Sequence, residues 1–296
     1  MMKSFKCNFL LIPIFSLVTF AQSATAQNTL LWEISGNKLK SKSYLFGTIH
    51  VKDKRVFELG DSVLPKLNST KVLAVEIVAD PAQLMGVIDK LFMKGDTTLE
   101  DLLDKKEYNE VSDYLNEKLG AMAPMVNRMK PIFTALTLAQ VDMARDEQKI
   151  LDEAFQDYAK KQGKELKSLE SVDEQIKALD KLSYKDQAKE LYKTIKNPEK
   201  DTKEMSRLVE AYVKEDLYEL EQLIKSSEMP SVLNTSLLKE RNKVMVERMV
   251  ALIKEKPTFV AVGAGHLGGN DGLIALLREK GYKVRGIISS KKEKAL

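Results

Sequence analysis

Apolar positions fall into two rhythms along this chain. Near both ends they run almost continuously over four to seven residues, as Leu30 to Ile34, Tyr44 to Ile49 and Val72 to Val78 do. Such runs read as strands covered on both faces. The first two flank Gly36-Asn37-Lys38, which predicts a hairpin turn. A short helix over Leu59 to Leu67 would join the second strand to the third as a β-α-β unit. From about Pro81 to Lys254 the rhythm changes to three- and four-residue spacing. This predicts helices over Pro81 to Met93, Glu107 to Leu119, Pro131 to Met143, Glu147 to Lys161, Asp173 to Leu182, Tyr184 to Lys196 and Met205 to Ile224. Leu166 to Leu169 interrupts them as a short strand. The strand rhythm then returns. A helix over Ser236 to Lys254, a strand over Thr258 to Val262, a helix over Gly272 to Lys280 capped by Gly281 and a last strand over Lys283 to Ile288 lead into a frayed Lys291 to Lys294 tail. The fold expected is α/β with an α+β-like layout. One domain over 27–296 would hold a central mixed sheet built from both terminal segments, with a helical insertion at about 81–254.

The first residues read as an address. Lys3 and Lys6 precede an apolar run from Phe9 to Phe20, and Ala24-Thr25-Ala26 fits a cleavage site, so 1–26 is expected to be a removed signal peptide. The run is short for a membrane span, so no stable span is expected after cleavage, and the location expected is periplasmic or secreted. Cys7 is the sole cysteine and would leave with the leader. That excludes disulfides, a thiol nucleophile and thiolate metal ligands. The formal charge of +4 falls to +2 without Lys3 and Lys6, and no basic stripe points to nucleic acid. Lys, Asp and Glu crowding the helices read as solvated faces. Met122, Met125, Met129, Leu84 and Met85 could line a peptide groove, though a methionine stripe more often fills core gaps.

Two histidines remain, and both close a Gly-x-x-His at the end of an apolar strand: Gly47-Thr48-Ile49-His50 and Gly263-Ala264-Gly265-His266. Open α/β sheets bind ligands at the carboxyl ends of their strands. Glu76 interrupts the third strand, and a buried carboxylate must be paired, coordinated or protonated. An ion pair to Arg241 would satisfy it structurally. Alternatively His50, His266 and Glu76 form a two-histidine, one-carboxylate set able to hold Mn, Co, Fe or Zn. Glu170 is a further acid candidate, although Ser171 and Glu174 after it spell a capping box that would explain it as a helix-terminal acid. Arg241 could clamp a substrate carboxylate or anchor Glu76. The glycine-rich run from Gly265 through Gly268 to Gly269, with Asn242, would offer donors to an oxyanion.

At these motifs the chain resembles the TraB/GumN family (TraB, PrgY, GumN), which includes the Tiki proteins. The resemblance runs from Leu31-Trp32-Glu33-Ile34 through Leu45-Phe46-Gly47-Thr48-Ile49-His50-Val51, Val75-Glu76, Leu169-Glu170 and Glu240-Arg241-Asn242 to Val260-Ala261-Val262-Gly263-Ala264-Gly265-His266-Leu267-Gly268-Gly269. It implies a core similar to erythromycin esterases and ChaN-like haem-binding lipoproteins. It also implies a divalent-metal-dependent hydrolase, most plainly a peptidase. His50 and His266 would be ligands or bases, Glu76 the matching acid, and Glu170 and Arg241 supporting residues. The substrate would be a peptide or small molecule, and the oligomeric state is left open. Two other readings stay in view. One is a metal-free, esterase-like hydrolase. The other is a non-catalytic module binding a peptide, haem or metal, as the association of PrgY members with peptide-pheromone inhibition implies.

Overall fold

Six strands form one mixed sheet in the structure, a computed structural model that describes residues 29–78, 85–142, 146–226, 230, 232, 235–294 and 296. The expected leader and Leu84 lie outside the described residues. The elements in chain order are β1 (Leu31–Ser35), β2 (Ser43–Thr48), β3 (Glu58–Gly60), α1 (Val63–Asn68) and β4 (Val72–Val75). The helical middle comprises α2 (Lys105–Leu119), α3 (Ala123–Val126), α4 (Pro131–Asp142), α5 (Leu151–Lys161), β5 (Glu165–Ser168), α6 (Val172–Leu179), α7 (Tyr184–Lys196), α8 (Pro198–Val213) and α9 (Leu217–Ser226). The chain closes with α10 (Arg241–Glu255), β6 (Thr258–Gly263), α11 (Leu273–Glu279), β7 (Lys283–Gly286) and β8 (Lys292–Lys294).

The strand order is β5-β4-β6-β2-β1-β7. β5, β4, β6 and β2 run parallel, while β1 is antiparallel to both of its neighbours. The β1–β2 hairpin is as expected, with Gly36, Asn37 and Lys38 all at positive φ (78°, 45° and 62°). The expected β-α-β unit forms as a split one: β2 and β4 are parallel and connected through α1, but they are not neighbours. β6 lies between them, pairing Gly47 with Val262 on one side and Val75 with Ala261 on the other. A strand from the far end of the chain therefore completes the centre of the sheet.

Alternation along the strands sorts their side chains into two cores. Phe46, Leu73, Val75, Phe259 and Ala261 face α1, α5, α8 and α9. Phe46, Phe155 and Phe259 stack there with ring centroids 5.5–6.2 Å apart. Leu45, Ala74, Val260 and Val262 face α10 and α11. A third core, with Val111, Leu115, Val126, Leu138 and Leu191, belongs to the helical middle alone.

Several expected helices are redrawn. The long helix over Met205 to Ile224 is two, because Glu215 takes φ 55° and Asp216 accepts the Glu219 N–H at 2.9 Å to start α9. The helix expected from Glu147 begins at Leu151, and within Pro81 to Met93 a 3-10 turn spans Ile88–Leu91. The Lys291 to Lys294 tail is paired rather than frayed, since β8 forms an antiparallel ladder with β3. Met129 packs inward, but Met85, Met122 and Met125 are exposed, so the core explanation fails for those three.

Candidate active site

The carboxyl ends of the four parallel strands share one rim, and each delivers a candidate residue just past its last paired position. Across the sheet these are Glu170 after β5, Glu76 after β4, His266 after β6 and His50 after β2. β4 and β5 extend their pairing far enough that the Glu170 N–H donates to the Glu76 carbonyl at 2.9 Å. Gly47 lets β2 come close to the turn that carries His266: a Cβ there would lie 3.0–3.1 Å from Ala264 and Leu267, so any larger residue would press on that turn.

Glu76 is buried and fully engaged. Its Oε1 accepts the Gly263 N–H at 2.8 Å, and its Oε2 accepts from Arg241 Nη2 at 2.7 Å and Gln175 Nε2 at 3.1 Å. Burial by itself pushes the carboxyl pKa up. The positive field of Arg241, the facing imidazoles and the Gly263 N–H outweigh burial and hold it down at about 2. Arg241 is sandwiched between two acids. Its Nε donates to both oxygens of Glu170 (2.9 and 3.0 Å), its Nη2 to Glu170 Oε2 (2.6 Å) as well as to Glu76, and its Nη1 to the Leu237 carbonyl (3.0 Å). Of its two expected uses, Arg241 performs the anchoring one, and its fork is directed inward. The Ser171–Glu174 capping box is present, with the Glu174 N–H donating to Ser171 Oγ at 3.2 Å. Glu170 itself, however, is held by Arg241 and Gln175.

His266 is buried, with 4% of its surface exposed. Its Nδ1 lies 2.6 Å from Asn242 Oδ1. The Asn242 amide is oriented by its own bonds, because Nδ2 donates to the Asp271 carbonyl at 2.8 Å and the His266 carbonyl at 3.4 Å. Oδ1 therefore accepts, Nδ1 carries the proton, and the Nε2 lone pair faces Glu76 Oε1 at 3.6 Å, beyond hydrogen-bond reach. Burial lowers the His266 pKa to about 4, overriding Glu76, with Arg241 and His50 adding to the fall. The ring is neutral at pH 7. Asn242 is thereby removed from the expected oxyanion donors, since its amide is spent on holding His266.

The expected glycine donors, Gly265 and Gly268, are partly exposed. A Cβ on Gly265 would meet Ile224, and one on Gly268 would meet Glu221, so α9 packs over this turn. The turn itself winds as a 3-10 segment over Ala264–His266.

His50 is the solvent-facing member, with 53% of its side chain exposed. Its Nε2 lies 3.4 Å from Asp152 Oδ2. Partial burial of the ring opposes its charge, but the Asp152 carboxylate, with Glu76 behind it, raises the pKa to about 9 against Arg241. Asp152 accepts from Thr48 Oγ1 at 2.8 Å through Oδ1, while its Oδ2 is buried with no hydrogen-bond partner. Tyr212, deep beside this pair, donates to the Gly47 carbonyl at 2.9 Å, and burial pushes its phenol well above 10.

Asp152 and Gln175 were not singled out from sequence. Asp152 sits among the charges that read as a solvated helix face, and the only available signal was its place at the second position of α5, beside apolar Leu151. Among the described residues no three His, Cys, Asp or Glu side chains converge as a ligand group. His50, His266 and Glu76 do share one rim, but they form two histidine–carboxylate pairs, because Arg241 and Gly263 fix Glu76 on the His266 side. Of the donor types a divalent cation takes, the rim offers a neutral imidazole with its Nε2 lone pair turned toward Glu76, and the carboxylate of Asp152, whose Oδ2 already faces His50 Nε2 at 3.4 Å. An apolar cavity of about 280 Å³ opens one residue beyond His50, lined by Val51, Leu138, Pro198, Met205 and Val209, with the Asp53–Arg55 ion pair on its wall.

Comparison with known proteins gives a consistent result. The model of the TraB/PrgY/gumN family matches residues 30–286. Curated relatives include Metalloprotease TIKI2 of Danio rerio, 24% identical over 87% of this chain and 60% of that protein. They also include Metalloprotease TIKI1 of Danio rerio, 23% identical over 87% and 63%, and Metalloprotease TIKI1 of Homo sapiens, 24% identical over 87% and 61%. The chain thus spans about three fifths of the length of these relatives. No solved structure matches the chain significantly. No helix among the described residues is long and apolar enough to cross a membrane.

Proposed function

The chain belongs to the TraB/PrgY/gumN family, and from that premise we propose that it is a metal-dependent hydrolase that cleaves peptide bonds. The observation that carries the reading is the His266 tautomer. Asn242 Oδ1 accepts the hydrogen bond of Nδ1–H, which leaves an unprotonated Nε2 turned toward Glu76 at the strand rim. His50, His266 and Glu76 would hold the cation, of the Mn, Co, Fe or Zn class. When bound, it would supply Lewis acidity for a scissile carbonyl and acidify a water.

The chain's own residues do the rest. Arg241 and the Gly263 N–H keep Glu76 ionised, so the carboxylate presents a fixed negative charge beside His266. Glu170 fixes Arg241 and so fixes Glu76. His50 faces solvent and meets substrate first. The apolar cavity lined by Val51, Leu138 and Val209 would seat a hydrophobic side chain of the peptide. The Tiki relatives' printed names support the protease class, and export by a cleaved leader would place the activity in the periplasm or outside the cell. The same reading takes the core as erythromycin esterase- or ChaN-like and the chain after its leader as a single domain.

The test is cleavage of a fluorogenic peptide library by the full chain after chelation, with Mn²⁺, Co²⁺ or Zn²⁺ added back. Activity restored in wild type but absent in His50→Ala and His266→Ala supports the reading, and full activity in both variants overturns it. A second reading, a metal-free hydrolase, is favoured by one contact. His50 faces Asp152 as a general base faces its orienting acid. Turnover that survives exhaustive chelation would select it.

A further inference from the structure

Two of the three cores meet at a seam that side chains do not fill. Val51, Met205 and Val209 pack with the core on one face of the sheet, and Tyr114, Ala135 and Leu138 with that of the helical middle. All six line the apolar cavity of about 280 Å³, whose wall begins at the residue after His50. Protein interiors pack as densely as organic crystals, and an unfilled cavity destabilises in proportion to its volume. An apolar cavity of about 150 Å³ already takes up a benzene ring. The seam, at about 280 Å³, has room for a ring and the carbon that carries it. The rest of its lining is polar. Thr202, Ser206 and the Asp53–Arg55 pair contribute, and the Arg55 side chain is 47% exposed, which marks the solvent side.

The lining also favours one kind of occupant. A guanidinium stacks on ring faces, a thioether meets ring edges, and a phenol ring packs offset or edge-on against another ring. Arg55, Met205 and Tyr114 supply one of each. An anionic group gains nothing there, because Asp53 neutralises Arg55 through its Nε at 3.0 Å and Asp201 adds another acid. We propose that the seam is a binding site for an uncharged aromatic ring. In the peptidase reading above, on which this second step rests, it selects substrates with phenylalanine, tyrosine or tryptophan next to the bond presented at His50. Small side chains on α4 set the selection. Ala135 and Ala139 lie one turn apart on the same face and leave the space the ring occupies.

The test needs neither metal nor turnover. N-acetyl-phenylalaninamide is titrated into the chelated full chain by ligand-observed NMR, with N-acetyl-leucinamide as the aliphatic comparison. One saturable site is expected, roughly two- to tenfold tighter for the aromatic amide, the range that an aromatic contact adds beyond its area. Ala139→Phe plugs the seam with its own ring and should abolish that binding. Leu136→Phe, on the outer face of the same helix where Leu136 is 48% exposed, should leave it unchanged. Circular dichroism establishes that each variant is folded, and Ala135→Leu, a smaller plug, carries the test if Ala139→Phe is not. No binding by wild type, equal affinities for the two amides, or wild-type binding in a folded plugged variant would overturn the site. Aromatic binding lost in the plugged variant, in a protein that cleaves no peptide with any of the cations above, would uphold the site and overturn the peptidase reading. Where peptides are cleaved, the preference for an aromatic residue should fall in Ala135→Leu, and an unchanged preference would overturn the selection.

Discussion

Asn242 Oδ1 lies 2.6 Å from His266 Nδ1, and this contact settles which ring nitrogen faces Glu76. The order of control is long-range. Asp271 and the His266 carbonyl orient the amide, the amide selects the tautomer, and the tautomer presents the lone pair to the rim. Removing the acceptor while filling its volume, as in Asn242→Leu, should weaken metal binding by roughly 10- to 100-fold, the range seen for lost support behind a ligating histidine. Asn242→Asp keeps an acceptor and should retain most of it. Calorimetric titration of both variants checks this, and equal affinities would show that the tautomer is not controlled from Asn242.

Arg241 neutralises two buried acids at once. Truncation to alanine leaves Glu76 and Glu170 facing each other without a cation, and the expected loss is about 3–5 kcal/mol of stability. Arg241→Lys should recover little, because a single ammonium cannot reproduce the fork that reaches both carboxylates. Urea unfolding of the three proteins gives the answer. A loss below about 1 kcal/mol in Arg241→Ala would mean the acids are solvated in solution.

The depressed pKa of His266 makes stability depend on pH in a definite direction. The folded ring titrates at about 4 and the free ring at 6.5, so the unfolded chain binds the proton more readily between those values. The contribution is complete above pH 6.5 and is lost as pH falls toward 4, on the order of 3 kcal/mol at most. Glu76, lowered from 4.5 to about 2, adds a further loss only below pH 4.5. His50 acts oppositely, losing its contribution as pH rises through about 9, but its exposure keeps that small. In chelated protein, unfolding free energy should drop between pH 7 and 4.5, and His266→Gln should flatten the drop. An unchanged slope in that variant would reassign the effect.

Gly47 and Gly265 are expected to respond differently to alanine. At Gly47 the added carbon would press on the backbone and Cβ of Ala264, so overpacking of about 1–3 kcal/mol is expected. At Gly265 the first obstacle is the tip of Ile224, which can rotate away, and the cost should be below about 1 kcal/mol. Thermal melts of the two variants compare them directly, and equal costs would show that the strand-to-turn approach at Gly47 is not tight.

The strands and their outward ends were legible because continuous apolar runs followed by Gly-x-x-His mark both where a strand is buried and where it stops. His50 and His266 follow from that pattern, Glu76 from interrupting an apolar strand and Glu170 from the end of a short one, and all four reach one rim. Neighbour relations were not legible. Nothing local to Val72–Val75 or Ser43–Thr48 announces that Thr258–Gly263 comes between them, since parallel pairing leaves no turn to read. Asp152 was missed for a related reason. A single acid on an amphipathic helix looks like any solvated charge until the strand it faces is known. The division of α8 from α9 lay in Glu215 adopting a left-handed backbone, which glutamate seldom signals.

The interposed β6 has a consequence for how the chain comes off the ribosome. β2 and β4 are made before the helical middle, yet the strand that joins them is made after it. Until it arrives, His50 and Glu76 hang on two unjoined edges, and His266 does not yet exist. The centre therefore has no partially competent ancestor during synthesis, and a chain cut short before residue 258 exposes two raw strand edges that invite aggregation. Closing contacts across so much sequence makes folding slow, and the rim can assemble only once Thr258–Gly263 has been made.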